Sequence, residues 1–226
     1  GKLPEADSPR TTPMKAGGEG MAMGRTLQES MQKAWRGLET GIDGFDEKTT
    51  DRELIETELA DTGPERILFL ADALRIGMSL EEVQQLTHID PWFLAQIEDL
   101  IRQEKALAGK RVGDLDRSAL LHLKRAGFSD RRLAKLLNAT QDAVRAKRLE
   151  LNVRPVYKRV DTCAAEFDTR TAYMYSTYED ECESRPTDRK KISVLGGGPN
   201  RIGPGLEYDP CGGNAPLALW RVGHEA

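Results

Sequence analysis

The chain has 226 residues, and its 33 Lys and Arg against 37 Asp and Glu give a formal net charge of −4. No run of about 18 apolar residues occurs, so a membrane-spanning helix is excluded. A hydrophobic share of 38% fits a soluble globular protein, and the net acidity argues against nucleic-acid binding as the main role.

Residues 1–44 are predicted to contain one helix, after a segment rich in Pro, Gly and Met. Apolar residues recur there at steps of three and four, which places them on one helix face. This face consists of Met23, Leu27, Met31, Ala34, Trp35 and Leu38. Gly37 and Gly41 are the candidate ends of the helix.

Residues 45–191 are predicted to be an all-α region of short helices, because no alternation typical of strands persists there. Ser79 and Glu82 form a capping box, in which each side chain accepts the backbone N–H of the other residue. Asp90 caps the next helix, whose first residue, Pro91, needs no N–H donor. The apolar face predicted for that helix consists of Phe93, Leu94, Ile97, Leu100 and Ile101.

Three more helices with their own caps are predicted in this region. Their N-caps are Asp116 or Ser118, then Ser129, then Thr140, and the first two helices end at Gly127 and Asn138. In the helix capped by Ser129, the residues predicted to face inward are Leu133, Leu136 and Leu137. In the helix capped by Thr140 they are Val144 and Leu149. The last two helices also have the spacing of a helix-turn-helix, with Arg145, Lys147 and Arg148 on the second one. Ordinary helix packing is favoured over DNA binding, and a helical regulatory or nucleic-acid-binding module stays the alternative.

Residues 192–226 are predicted to begin a second domain of Rossmann-like α/β type. The apolar run Ile192–Leu195 is its predicted first strand, and a glycine-rich turn follows over 196–203. Such a turn can bind phosphate through backbone N–H groups. However, Arg201 replaces the third glycine of the dinucleotide pattern, and Pro204–Gly205 stands where an ATP-binding loop has Lys and Ser or Thr. A tight structural turn is therefore favoured over nucleotide binding. The chain begins without Met and stops before a parallel sheet is complete, from which we expect a piece of a longer protein.

The other residue types that carry chemistry are scattered along the chain. The cysteines are odd in number and form no CxxC pair, so reduced thiols in a cytosolic protein are expected instead of disulfides or a zinc site. They are Cys163, Cys182 and Cys211. The histidines, which are His88, His122 and His224, have no carboxylate or Cys at ligand spacing. The motifs alone therefore do not identify an enzymatic reaction.

The chain resembles the large subunit of carbamoyl phosphate synthetase along essentially its whole length, in colinear order. The most specific matches are RPVYKRVDTCAAEF at 154–167, TAYMYSTYE at 171–179, and VLGGGPNRIG at 194–203 followed by Glu207–Tyr208–Asp209. Shorter matches to the end of the family's first ATP-grasp domain are Gly24–Thr26, Glu29–Ser30 and Gln32–Ala34. Asp90, Trp92–Leu94 and Gln96–Glu98 are similar to its oligomerisation domain.

The resemblance implies three parts: the C-terminal tail of the first ATP-grasp domain (1–44), an oligomerisation domain (45–191) and the truncated start of the second synthetase half (192–226). It implies that the full subunit makes carbamoyl phosphate from bicarbonate, ammonia and ATP, with Mg²⁺ or Mn²⁺. The implied partners are a glutaminase small subunit, which releases the ammonia from glutamine, and further copies of the large subunit, but no nucleic acid and no membrane. This segment is expected to be cytoplasmic, to bind no cofactor and to be inactive alone.

The resemblance also implies an internal passage through which carbamate travels between the two synthetase sites, protected from water. The positions of this chain that match passage-lining positions are Met14, Glu19, Arg201, Gly205 and Glu207. An ordinary ion pair between Arg201 and Glu207 stays an equal alternative. No catalytic residue and no metal ligand is carried over to this chain.

Several residues depart from the family pattern near these positions. They are Gly17 and Gly20 near the first stretch, and Pro204, Pro210, Gly212–Gly213 and Pro216 near the second. Glycine costs about 1 kcal/mol and proline about 3 kcal/mol in a helix interior. A weakened start of the second synthetase domain is therefore expected.

Overall fold

The computed structural model describes residues 19–168, 173–195, 201–202 and 210–225. It is mainly helical. The helices are α1 (Leu27–Gly37), α2 (Arg52–Ala60), α3 (Arg66–Ile76), α4 (Leu80–Thr87), α5 (Pro91–Lys105), α6 (Arg117–Arg125), α7 (Asp130–Leu136), α8 (Gln141–Glu150) and α9 (Pro210–Arg221). A 3₁₀ turn at Val112–Asp114 precedes α6, and the strands are β1 (Glu19–Gly20), β2 (Val156–Arg159), β3 (Met174–Thr177) and β4 (Arg201–Ile202).

The predicted N-caps are confirmed. The Ser79 hydroxyl accepts from Glu82 N at 3.2 Å, while the Glu82 carboxylate accepts from Ser79 N at 2.7 Å. Asp90 accepts from the second residue of α5, and Asp116 rather than Ser118 caps α6. Ser129 and Thr140 cap α7 and α8 as predicted, and Thr26, for which no cap was predicted, caps α1. Short local signals therefore set where these helices begin.

The core lies where α2 to α8 meet. Helix α3 is buried on every side from Leu68 to Leu74, and Leu94 and Ile97 of α5 are at most 2% exposed. Two residues that were predicted to face inward do not. Phe93 is 42% exposed because it lies in the first turn of α5, and Leu149 is 36% exposed in the last turn of α8.

Helix α1 packs onto this body. Gln32 Nε2 donates to the Ala126 carbonyl at 2.9 Å, and Arg36 Nη1 donates to the Gly127 carbonyl. Gln28 Nε2 donates to the Gln96 carbonyl on α5 at 3.2 Å. These bonds run from α1 to carbonyls of the loop after α6 and of α5. The predicted domain boundary at residue 44 stays a prediction.

A buried network of charges ties the loop before α2 to three helices. Arg132 on α7 is 1% exposed and donates to both carboxylate oxygens of Glu47, at 2.8 and 2.9 Å. It also donates to Oε1 of Glu104 on α5, at 2.8 and 3.0 Å. Arg75 on α3 reaches Glu104 Oε2 at 2.8 Å and Asp72 Oδ1 at 2.7 Å. Because the loss of one partner would leave buried charge unpaired, this network constrains α3, α5, α7 and the loop together.

The network changes the acid–base behaviour of its members. Hydrogen bonds from Arg132 lower the pKa of Glu47 from 4.5 to about 2. Burial alone would lower the pKa of Arg132, but its bonds to Glu47 and its attraction to Glu104 raise that pKa above the ordinary value. Both groups therefore stay ionised at neutral pH.

Strands β2 and β3 form an antiparallel pair in which Val156 lies opposite Thr177 and Arg159 opposite Met174. The prediction that residues 45–191 are all-α is wrong here. Aromatic and β-branched residues favour strands over helices, and this stretch is rich in them. Each strand has only four residues, which is too short for a clear alternation in the sequence.

The predicted strand at Ile192–Leu195 does not form. A single parallel bridge pairs Lys191 with Glu225, and Ile192 N–H donates to the Glu225 carbonyl at 2.9 Å. One bridge is not a ladder, which a strand requires for its backbone groups. Helix α9 does form across Gly213 and Pro216, and it exposes Trp220. Among the described residues, no helix is both long and apolar enough to cross a membrane.

Candidate functional site

The two segments that were predicted to line an internal passage meet in the structure. Strand β1 pairs antiparallel with β4, so that Glu19 lies opposite Ile202 and Gly20 opposite Arg201. The backbones of the two stretches are therefore adjacent. Three of the predicted lining residues, Met14, Gly205 and Glu207, lie outside the described residues. The lining itself stays a prediction.

The chain between β1 and α1 folds back along the helix, and two glycines make the close approach possible. A Cβ on Gly24 would lie 2.7 Å from Ser30 N and 2.9 Å from Glu29 Cβ, closer than carbon atoms pack. A Cβ on Gly20 would lie 3.3 Å from Cδ2 of Leu38, at the other end of α1. Because Gly20 and Gly24 have no side chain, residues 20–24 can lie against α1.

One lysine of α1 contacts both the segment before α1 and the strand β3. Lys33 Nζ donates to the Met23 carbonyl at 2.8 Å and to the Ser176 carbonyl of β3 at 2.6 Å. It also pairs with Oε1 of Glu29 at 2.7 Å and lies 5.8 Å from the centre of the Tyr175 ring. The segment before α1 and the strand β3 are thus held by the same ammonium group.

Two clefts border α1. One, of about 600 Å³, is lined by α1, the loop before α7 and β3. The other, of about 1160 Å³, lies between the segment before α1 and the chain around β2 and β3. Both contain side chains of both signs. The second is lined by Arg25, Lys158, Arg159 and Arg185 together with Asp161, Asp168, Glu181 and Glu183.

Lys124 is the most buried cation of the smaller cleft. Its Nζ donates to the Phe128 carbonyl at 2.6 Å and to Asp130 Oδ1 at 2.8 Å, and it lies 5.2 Å from the centre of the Tyr178 ring. Burial lowers the pKa of Lys124 from 10.5 to about 8, against the opposing attraction of Asp130. These contacts hold α6, α7 and the end of β3 together. Lys124 and Asp130 are therefore paired with each other and do not form a free acid and base.

An exposed pair of aromatic residues in contact with each other lies at the start of α5. Trp92 is 56% exposed and Phe93 is 42% exposed, and their rings meet edge to face with centres 5.0 Å apart. Phe93 precedes Ile97 by four residues and Leu100 by seven, so it continues the buried stripe of the helix. The stripe therefore runs past the edge of the core onto the surface. We call Trp92 and Phe93 the aromatic edge.

The chain matches a known family along most of its helical part. The model of the carbamoyl-phosphate synthetase large chain, oligomerisation domain, matches residues 19–152. The chain belongs to this family. It is 61% identical over 224 residues to the carbamoyl phosphate synthase large chain of Neisseria meningitidis serogroup B, and 59% identical over 227 residues to that of Ralstonia nicotianae. Each alignment covers 99% of this chain and 21% of the relative, so the chain spans about a fifth of the length of these relatives.

The family match confirms the predicted resemblance to a segment of the carbamoyl phosphate synthetase large chain. The matched range contains α1 to α8 and the aromatic edge, and it ends before β2. The range also begins at β1, so the strand that meets β4 belongs to the matched part.

The nucleic-acid-binding alternative is not favoured. Helices α7 and α8 are present as predicted, but the Arg148 side chain, 11% exposed, turns inward to Asp130 at 3.2 Å and to the Val153 carbonyl at 3.1 Å. Lys147 pairs with Glu150 on the same helix at 3.1 Å. Two of the three cations that were predicted to face a DNA groove, Lys147 and Arg148, are therefore already paired with groups of the oligomerisation domain.

The described part of the oligomerisation domain contains no group of three His, Cys, Asp or Glu side chains placed to hold a metal ion. His88 occupies a left-handed position at the end of α4, where its φ is 55°. Cys163 and Cys182 carry free thiols, and the Cys211 side chain lies outside the described residues.

Sequence reasoning missed two features of this domain: the Lys33 contacts and the Arg132 network. A signal for Arg132 does exist, because it precedes the apolar Leu136 by four residues and so lies on the inner face of α7. For Lys33 the sequence indicates only the partner Glu29, which precedes it by four residues on α1. The other two partners are backbone carbonyls, which every residue has, and one of them is distant in sequence.

Proposed function

We propose that this chain is the self-association unit of a carbamoyl phosphate synthetase large chain and the connection between its two synthetase halves. The whole enzyme makes carbamoyl phosphate from bicarbonate, ATP and ammonia, with Mg²⁺ or Mn²⁺ at ATP-grasp sites outside this chain. A glutaminase small subunit supplies the ammonia. In this proposal the enzyme is cytoplasmic and its product serves arginine and pyrimidine biosynthesis.

The proposal for self-association rests on the aromatic edge. Most surface aromatic residues are isolated, whereas Trp92 and Phe93 contact each other and continue the core stripe of α5. Trp and other large aromatic residues dominate the binding energy of protein interfaces. A second copy of the chain, offering the same edge, would bury both rings in an isologous contact.

The connecting role is supported by the pairing of β1 with β4. In the proposed enzyme, β1 lies in the C-terminal tail of the first ATP-grasp domain, and β4 lies near the start of the second synthetase half, in a Rossmann-like layer that the rest of that half completes. Met14, Glu19, Arg201, Gly205 and Glu207 then line the carbamate passage at this junction. Glu and Arg side chains there would offer a polar wall to a carbamate, and Gly205 would leave room for it.

Sedimentation equilibrium of the 226-residue chain at micromolar concentrations tests the association. We expect a mass that rises with concentration for the wild type and stays monomeric for the double variant Trp92→Ser, Phe93→Ser. Loss of a hot spot worth about 2 kcal/mol raises the dissociation constant about 30-fold.

The matched control is Tyr157→Ser, because Tyr157 is an aromatic residue of similar exposure, 48%, on β2. This control is expected to associate like the wild type. A wild-type chain that stays monomeric, or a double variant that associates normally, would contradict the proposal. ATP hydrolysis by the 226-residue chain itself would contradict the placement of the nucleotide sites outside it.

A further inference from the structure

Lys33 donates to both the segment that leads into α1 and the strand β3. An ammonium group has three N–H donors. The three acceptors around Lys33 are the Met23 carbonyl, the Ser176 carbonyl and the Glu29 carboxylate, all within 2.8 Å. The two carbonyl contacts are hydrogen bonds and the Glu29 contact is an ion pair, and each partner belongs to a different element.

The support beneath Lys33 is rigid. Glu29 is 1% exposed, and its other carboxylate oxygen accepts from Arg25 N at 2.7 Å. The backbone of Glu29 lies against Gly127, where a Cβ would be 2.8 Å from Glu29 Cα. Since Glu29 is fixed to both α1 and the loop after α6, the position of the Lys33 ammonium is determined by the helical core.

One of the two segments that Lys33 holds, the segment before α1, follows directly on the junction strand β1. Met23 lies three residues after Gly20, which pairs with Arg201 of β4. On the other side, the chain that leaves β3 is held again by Arg125, whose Nε donates to the Tyr178 carbonyl at 2.8 Å. Without Lys33, the segment before α1 would keep the long ion pair of Arg25 with Glu179, 3.9 Å apart, as a tie to the chain after β3, and this pair is weak because the Arg25 side chain is 56% exposed.

We propose that Lys33 is a positioning residue that ties the segment before α1 to β3 and so sets the alignment of strands β1 and β4. Its consequence for catalysis rests on the proposed function: misaligned strands would open the junction between the synthetase halves, and carbamate would escape before it is phosphorylated at the second site. ATP would then be consumed without a matching yield of carbamoyl phosphate.

The test compares Lys33→Met with Lys147→Met in the full-length large chain. Methionine keeps an unbranched apolar stem and removes the charge. Lys147 is the matched control because its side chain is 19% exposed, against 20% for Lys33, while its partner Glu150 lies on its own helix. Hydrogen exchange is measured by mass spectrometry, together with the ratio of ATP consumed to carbamoyl phosphate formed.

For Lys33→Met we expect peptides spanning 20–25 and 174–178 to exchange at least tenfold faster, while peptides from α3 and α5 exchange as in the wild type. We expect the ratio of ATP consumed to carbamoyl phosphate formed to at least double for Lys33→Met. For Lys147→Met we expect neither the hydrogen exchange nor this ratio to change. Unchanged exchange at both segments, or equal acceleration in α3 and α5, would overturn the positioning role. Faster exchange with an unchanged ATP ratio would overturn its effect on coupling. A wild-type chain that makes no carbamoyl phosphate would refute the proposed function instead, and the exchange result would still decide the role of Lys33.

Discussion

The helical body, residues 27–153, and the trailing segment, residues 154–225, are held together by different interactions. In the helical body, capped helices enclose an apolar core and a buried charge network. The trailing segment has four-residue strands and exposes Phe167, Tyr173 and Trp220. It is attached through backbone carbonyls that accept from Lys33 and Arg125. The body thus has the features of an independent folding unit, whereas the trailing segment depends on its neighbours.

The largest effect in this comparison is expected from the charge network of the helical body. Arg132→Met removes one of the two arginine partners of Glu104, which is 7% exposed and keeps Arg75, and we expect a loss of about 3 kcal/mol in the free energy of unfolding. Urea denaturation followed by circular dichroism measures it. Arg131→Met is the control, because Arg131 is the adjacent residue but its side chain is 58% exposed, and a loss below about 1 kcal/mol is expected. Equal losses would show that the network does not stabilise the body.

A smaller effect tests whether α1 belongs to the helical body. Gly127 and Gly77 both follow helices with left-handed φ values, 96° and 95°. Alanine is strained at both positions, but only at Gly127 would its Cβ meet another backbone, 2.8 Å from Glu29 Cα. We expect Gly127→Ala to cost about 1–3 kcal/mol more than Gly77→Ala in urea denaturation. Equal costs would mean that α1 moves away easily and lies outside the cooperative unit.

The smallest effect concerns the pH dependence of the body. The pKa of Glu47 is about 2 in the folded chain against an ordinary 4.5, so its contribution is present above pH 4.5 and is lost as the pH falls towards 2. Glu47→Gln should therefore weaken the acid dependence of unfolding in this range, by roughly 1 kcal/mol or less because the side chain is 56% exposed. Glu98→Gln, which replaces an exposed residue of α5, should leave the pH dependence of unfolding unchanged. A Glu47 variant with the full wild-type dependence would contradict the assignment.

The two regions also differ in how much the sequence predicts. Helix boundaries in the body follow from local signals such as Ser79 with Glu82 and Asp90 with Pro91, which act within one turn. The strands of the trailing segment were not predicted, because the pairing of Val156 with Thr177 is decided by contacts distant in sequence. The family resemblance was predicted from motifs in both regions. The burial of Arg132 and the contacts of Lys33 depend on the assembled structure.

The central claim is that the helical body alone carries the self-association of this chain. A shortened chain of residues 19–155 tests it most directly, with circular dichroism to establish that it is helical. In sedimentation equilibrium we predict the same dissociation constant for this shortened chain as for the 226-residue chain. A shortened chain that is folded but monomeric, at concentrations where the 226-residue chain associates, would contradict the claim and place the association in the removed residues, 1–18 or 156–226.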